Sequence, residues 1–178
     1  MHVSLVMTVI GDDRPGLVGS ISRAVADHDG NWLESHMTRL AGKFAGILRV
    51  EVPADKTAAL ETRLHELAST GLHVIVEAGR DEALDGTQAL VLELTGDDRP
   101  GIVRDISLAL AERQVNIEAL ETESTDAPMS GGLLFKATAR LRLSQGTSVD
   151  ELRESLEALG HDLMVDIVLD DADPPQAN

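Results

Sequence analysis

The sequence predicts an α+β protein made of two tandem β-α-β-β-α-β units, each a four-stranded antiparallel sheet with two helices on one face. The main observation is an internal repeat. The stretch "GDDRPG" occurs at residues 11–16 and again at residues 96–101, an offset of 85. The same offset aligns residues 5–31 with 90–116 without a gap, with 14 identities over 27 positions. Self-similarity on this scale indicates a duplicated domain.

The elements of the first half follow from the spacing of its apolar residues. The β-type run "HVSLVMTVI" precedes the first turn, and apolar residues at helical spacing follow it. The strands "NWLESHMTRL" and "FAGILRVEV" are separated only by "AGK", which requires an antiparallel hairpin. Leucines at positions 60, 64 and 67 mark a second helix, which we expect to end at a capping glycine, Gly71. The strand "LHVIVEA" closes the unit.

The second half repeats this order. "TQALVLELT" precedes the second turn, helical spacing follows it, and leucines at 152, 156 and 159 mark the last helix. Gly160 is predicted to cap that helix, and "DLMVDIVLD" to form the last strand. A Rossmann unit would place a helix after every strand, whereas the second and third strands of each half lack one. The order fits the split β-α-β sandwich of ferredoxin-like domains.

Two polar segments set the expected domain limits. The glycine-bearing stretch "GRDEALDGT" separates the halves, and "DDADPPQAN" stands at the end of the sequence. We therefore expect a first domain over residues 1–79, a linker over 80–86, a second domain over 87–170 and a disordered tail over 171–178.

Composition excludes several classes of function. Hydrophobic residues make up 43% of the chain and aromatic residues only 2%, so the cores must be aliphatic and no base-stacking site is expected. The formal net charge of −16, without a Lys/Arg cluster, argues against direct nucleic-acid binding. The chain has no cysteine, which excludes thiolate catalysis and cysteine-bound metals. With neither a signal peptide nor an apolar run of membrane length, the sequence indicates a cytoplasmic protein.

The repeated turn could hold an α-amino acid. The first backbone amides of a helix have no internal partner, and the helix dipole makes that end partly positive, so it favours a carboxylate. In the first copy, the amides near Gly16 and Leu17 would receive the carboxylate while Asp13 faces the ammonium of the ligand. The alternative is a structural role, in which Asp12 or Asp13 caps the helix and Arg14 pairs with a nearby acid.

No other constellation indicates catalysis or metal binding. The six histidines lack metal-ligand spacing, and the paired aspartates of the turn offer too few oxygen ligands for Mg²⁺ beside an arginine. Phosphate-binding and nucleophile motifs are absent from the sequence, so we expect no catalytic residue, no metal and no cofactor. Trp32 lies on an alternating strand and is expected to pack in the core or across a subunit contact.

The segments "GDDRPGLVGSISRAVADHDGNW" and "GDDRPGIVRDISLALAERQVNI" resemble the ACT domain, a small-ligand regulatory module with this same order of strands and helices. The D-R-P-G turn and the asparagine at the start of the second strand carry the resemblance, which covers nearly the whole chain. In ACT domains that bind amino acids, the turn and this asparagine commonly contact the ligand. The resemblance therefore implies two ligand sites, one with Asp13, Gly16, Leu17 and Asn31 and the other with Asp98, Gly101, Ile102 and Asn116.

A narrower resemblance concerns function. "ESTDAPMSGGLLF" and "DLMVDIVL" resemble the tandem ACT-domain transcriptional repressors of the glycine cleavage system. This implies a non-enzymatic, amino-acid-responsive regulator of transcription, with glycine or serine as the first candidate ligand. Because no helix-turn-helix is apparent, the effect would pass through a partner protein, such as a transcriptional regulator. The alternative is a regulatory subunit or detached control module of a metabolic enzyme, and the sequence leaves homo-oligomerisation open.

Overall fold

Each half of the chain forms one four-stranded antiparallel sheet in the computed structural model, which describes residues 1–79, 88–127 and 132–172. The chain divides into two units, Met1–Glu82 and Ala83–Asn178. Within each unit the elements follow the predicted order β-α-β-β-α-β. The predicted fold class is therefore confirmed.

The first unit contains β1 (His2–Asp12), α1 (Leu17–Ala26), β2 (Asn31–Leu40), β3 (Lys43–Pro53), α2 (Thr57–Glu66) and β4 (Leu72–Ala78). The strand order β2-β3-β1-β4 places β1 inside the sheet, as its apolar residues on both faces indicate. A 3₁₀ turn at Leu67–Thr70 extends α2. It ends at Gly71, whose φ of 81° is the left-handed conformation expected of a capping glycine.

The second unit contains β5 (Ala89–Asp97), α3 (Ile102–Glu112), β6 (Val115–Asp126), β7 (Leu133–Leu143), α4 (Val149–Leu163) and β8 (Val165–Asp171), with the strand order β6-β7-β5-β8. The predicted end of α4 is wrong. The helix continues through Gly160, and Met164 adopts the left-handed capping conformation instead. A Cβ on Gly160 would lie 3.0 Å from the carbonyl oxygen of Val165. The glycine therefore permits close packing of α4 against β8 and does not cap the helix.

The helices of the first unit cover one face of its sheet. Leu5, Met7 and Val9 alternate along β1 and are buried in the same cluster as the apolar residues of α1 and α2. Trp32 is half-buried against this cluster, in one of the two environments predicted for it. The second unit has its own core, aliphatic except for Phe135 and built largely from the same positions of the repeat.

The ends of the predicted domains fall partly on residues that the structure does not describe. The predicted linker, residues 80–86, lies outside the described residues, as do residues 173–178 of the predicted tail. Asp171, assigned to the tail by the sequence, is the last residue of β8, and the Ala172 amide donates to the Ala89 carbonyl at 3.1 Å. The predicted domain limits stay predictions.

Candidate functional site

Each repeated turn ends at a glycine in the left-handed conformation, directly before a helix. Gly16 (φ 93°) is the N-cap residue of α1, and Gly101 (φ 100°) is that of α3. Neither helix has a side-chain cap. The next residues, Leu17 and Ile102, are buried and begin the apolar face of each helix. The alternative in which an aspartate of the turn caps α1 is therefore wrong.

These helix starts present backbone amides that the helix itself cannot satisfy. The first internal hydrogen bond of α1 runs from the Ser20 amide to the Gly16 carbonyl, at 2.9 Å. In α3 the Asp105 amide donates to the Gly101 carbonyl, also at 2.9 Å. Amides that precede these donors have no acceptor within the helix. Together with the helix dipole, they favour an anionic group at this point.

In the first unit, the aspartates of the turn are matched with cations of the β2–β3 hairpin. Asp12 pairs with Lys43, whose hydrogen bond and charge lower the pKa of the Asp12 carboxyl. The Asp13 amide donates to the Gly42 carbonyl at 2.9 Å. The Oδ2 atom of Asp13 lies 2.6 Å from Nε of Arg39, so this carboxylate already has a positive partner.

Among the residues that the structure describes, the arginine of neither turn forms the ion pair that the structural alternative requires. Arg14 donates from Nη2 to the carbonyl of Thr70, at the end of the 3₁₀ turn after α2, and not to an acid. In the second unit, the Nε and Nη2 atoms of Arg99 are buried and make no hydrogen bond within the described part of the chain.

The second turn has a different set of partners. The Asp98 amide donates to the Leu133 carbonyl at 2.8 Å, and Ser124 donates from Oγ to Oδ2 of Asp98 at 3.0 Å. The Asp98 carboxylate therefore accepts this hydrogen bond from a neutral hydroxyl group. Beside the helix start, Nε of Arg104 lies 2.7 Å from Oδ1 of Asp105, and its hydrogen bond lowers the pKa of the Asp105 carboxyl.

The two predicted asparagines lie far from the turns of their own units. Asn31 pairs with Glu51, which pairs in turn with Ser4 on β1. Asp12 lies eight positions further along β1, a distance of about 27 Å at the usual rise per strand residue. Asn116 stands in the same relation to the second turn. Within one unit, a small amino acid cannot contact both the turn and the asparagine.

An apolar cavity of about 20 Å³ lies in the second unit between α3 and the strands β6 and β7. Ile102 and Val103, the first two residues of α3, line it, together with Phe135 of β7. Val103 and Leu120, which also line it, are 41% and 45% exposed, so the cavity opens to the surface. We call this cavity and its opening the α3–β6 groove.

The model of the ACT domain family matches residues 4–77 and 88–170, which is most of the chain. The protein belongs to the ACT domain family. It is a tandem ACT-domain regulatory protein, as the repeated turns predict. The first unit corresponds to the first ACT domain and the second unit to the second.

Several known proteins are similar to this chain in sequence or in fold. A UPF0237 protein of Methanopyrus kandleri is 39% identical over 85 residues, which cover 47% of this chain and 87% of that protein. A protein of unknown function from Galdieria sulphuraria has a solved structure with a TM-score of 0.83 and 29% identity, covering 97% of this chain and all of that one. A candidate glycine cleavage system transcriptional repressor has the same fold, with a TM-score of 0.71 and 20% identity over 98% of this chain and 99% of its own.

No helix within the described ranges is long and apolar enough to cross a membrane. Among those same residues, no group of three or more His, Asp or Glu side chains is placed to hold a metal ion.

Sequence reasoning missed the side chains that face the turn aspartates. Arg39 and Ser124 differ by the same offset of 85 that aligns the two turns, so their equivalence was visible in the sequence. Their contacts with the turn aspartates were not visible in the sequence, because each residue lies 26 residues along the chain from its aspartate. Pairing of Arg39 with Phe44 and of Ser124 with Phe135 places both residues on the helix-covered face of an edge strand.

Proposed function

We propose that the protein is a non-enzymatic, cytoplasmic regulator that binds a small α-amino acid beside one or both of its repeated turns. The observation that supports this most directly is the helix start without a side-chain cap, next to an aspartate carboxylate. The carboxylate of the ligand accepts hydrogen bonds from the backbone amides near Gly16 and Leu17 or near Gly101 and Ile102. Its ammonium group faces Asp13 or Asp98.

The expected affinity is moderate. A small amino acid has few heavy atoms, and ligand-efficiency limits place its dissociation constant on the order of micromolar to millimolar. Glycine and serine are the first ligands to test, because they are small and would fit beside the backbone at Gly16 or Gly101. Asn31 and Asn116 remain predicted ligand contacts, but each is too far from the turn of its own domain to share a ligand with it.

Calorimetry against the twenty amino acids tests binding. Asp98→Ala should weaken the binding of any ligand that gives heat, because it removes the partner of the ammonium group. Asp97→Ala is the matched control, since Asp97 is an exposed aspartate at the end of β5, one residue earlier. Heat from no amino acid at all, with the protein folded, would refute the proposal.

We further propose that the bound amino acid controls transcription through a partner protein. The net charge of −16 opposes contact with nucleic-acid phosphates, and the helices are flanked by strands and packed on sheets, unlike a helix-turn-helix. The fold shared with a candidate transcriptional repressor of the glycine cleavage system motivates the choice of pathway.

Co-purification from the native host, with and without added glycine, tests the partner. A DNA-binding protein among the retained proteins supports the proposal. Recovery of a metabolic enzyme in its place would favour a control module of that enzyme.

In a mobility-shift assay, the purified protein alone should form no specific complex with DNA, and a sub-micromolar complex would contradict partner-mediated action.

A further inference from the structure

The two turns have identical sequences but differ in what faces their aspartates. The Asp13 carboxylate is held by the Arg39 guanidinium at 2.6 Å, whereas Asp98 accepts a hydrogen bond from the Ser124 hydroxyl at 3.0 Å. At the first turn, an incoming ammonium group meets a carboxylate whose charge a guanidinium already offsets. At the second turn it meets a carboxylate that accepts from a neutral hydroxyl and has acceptor capacity left for the ammonium group.

The helix starts differ in residue type but not in net charge. Arg104 and Asp105 of the second domain stand where the first domain has Gly19 and Ser20. The Nη2 atom of Arg104 and the Oδ2 atom of Asp105 lie 3.0 Å and 3.6 Å from where a Cβ of Gly101 would be. Because these two side chains pair with each other, a ligand carboxylate is attracted by the free amides and the helix dipole, as at the first turn.

The helix-covered face of the edge strand also differs between the domains. In the first domain, Trp32 and Met37 pack against the core from β2, and Met37 lies over Gly46. The equivalent residues of β6 are Ile117 and Thr122, which are smaller. Ile117 lines the α3–β6 groove, which has a cavity of about 20 Å³ whose lining is apolar except for Ser107. Such a volume holds about one water-sized group, and its apolar walls favour a hydrocarbon over water.

These features adjoin one another along the groove. Gly101 directly precedes two residues of the cavity lining, and Ser124, which contacts Asp98, pairs with Phe135, which also lines the cavity. A carboxylate at the helix start and an ammonium group at Asp98 therefore bring the side chain of the ligand to the apolar opening.

We infer that the second ACT domain is the amino-acid-binding domain of this protein and that its ligand has a compact aliphatic side chain, such as the methyl group of alanine. The first turn, whose Asp13 already has a cationic partner, is a structural copy. This inference rests on the proposed amino-acid binding and narrows it to one domain and one class of ligand. One additional methylene in an apolar pocket is worth about tenfold or more in affinity, so alanine should bind more tightly than glycine by that factor. Phenylalanine should bind poorly, because its ring exceeds the cavity.

Amide NMR of the uniformly ¹⁵N-labelled full chain distinguishes the two turns, since Gly16 and Gly101 give separate signals. Titration with alanine should shift the amides of Gly101 and Ile102 and leave those of Gly16 and Leu17 in place. Shifts at the first turn, or equal shifts at both, would overturn the inference while the proposed function stands. Glycine binding as tightly as alanine would overturn the assigned ligand class. No shift with any amino acid would overturn both proposals.

A pair of charge substitutions tests the mechanism. Ser124→Arg recreates at the second turn the ion pair of the first and should weaken alanine binding by about tenfold or more, because a cation now competes with the ammonium group. Thr125→Arg is the matched control. It makes the same charge change one residue later, on the opposite face of the edge strand, and should leave binding unchanged. Equal binding by both variants would overturn the inference.

A third variant tests the groove itself. Thr122→Met places beside the groove the side chain that Met37 provides in the first domain, and it should abolish the preference for alanine over glycine. Circular dichroism and the urea midpoint establish that each variant is folded. If Thr122→Met fails to fold, the comparison of Ser124→Arg with Thr125→Arg still decides the outcome, because both positions are exposed on an edge strand.

Discussion

Two glycines near the start of α1 should respond in opposite ways to the same substitution, to alanine. Gly16 holds a φ of 93°, and no atom lies within 4 Å of the position that its Cβ would occupy. Gly19 also has open space within 4 Å, but it lies inside α1 with ordinary helical backbone. Since neither new methyl group would meet a neighbour, the backbone conformation decides the sign of each effect.

The magnitudes follow from that difference. Gly16→Ala should lower the free energy of unfolding by about 1–2 kcal/mol, which is the cost of the left-handed region for an L-residue. Gly19→Ala should raise it by about 0.5–1 kcal/mol, because glycine is that much less favourable than alanine within a helix. The two variants should therefore differ by roughly 1.5–3 kcal/mol although the sites are three residues apart.

Urea unfolding followed by circular dichroism measures both changes, and an unchanged m-value shows that the variants unfold as the parent does. Gly101→Ala provides a second test of the left-handed position, since Gly101 has a φ of 100° and should also be destabilised. A Gly16→Ala protein as stable as the parent, or a destabilised Gly19→Ala protein, would refute the assigned backbone of the turn.

Three further outcomes are expected. Leu60→Ala removes a fully buried side chain and should cost about 3–5 kcal/mol in urea unfolding; a cost below about 1 kcal/mol would contradict its place in the core. A Cβ on Gly96 would lie 2.4 Å from Cγ1 of Val165, so Gly96→Ala should cost about 1–3 kcal/mol, and Val165→Ala should recover part of that in a double-mutant cycle. The hydrogen bond from Arg104 lowers the pKa of the Asp105 carboxyl, so this pair stabilises the fold above the unfolded pKa and loses its effect as the pH falls through the folded one. Arg104→Ala should return that pKa toward its ordinary value in a carbon-detected NMR titration, and an unchanged pKa would assign the shift to another cause.

The local part of the candidate site could be predicted from the sequence. A glycine after "DDRP" and before apolar helical spacing indicates a helix start with free amides, and both turns have one. The partners of Asp13 and Asp98 could not be predicted in the same way. They come from β2 and β6, and only the pairing of these strands, including a bulge in each, determines which residue faces the turn. The distance between turn and asparagine has the same origin, since it is set by the length of the sheet.

The order of strands and helices, their duplication and the residues that face each core were determined by the sequence, because periodicity and turn residues act over a few neighbours in the chain. The tertiary structure decided which distant residues contact these elements and how those contacts change them. Gly160 has the residue type of a helix cap but is buried against β8, so α4 continues to Leu163 and Met164 takes the left-handed conformation. The two turns, identical in sequence, likewise differ in the charge of the side chain that contacts their aspartate. That side chain is Arg39 of β2 in the first domain and Ser124 of β6 in the second. The same short motif therefore has different roles in the two domains. The energetic effect of a charge or a glycine depends on the atoms that surround it in the fold and not on its neighbours in sequence.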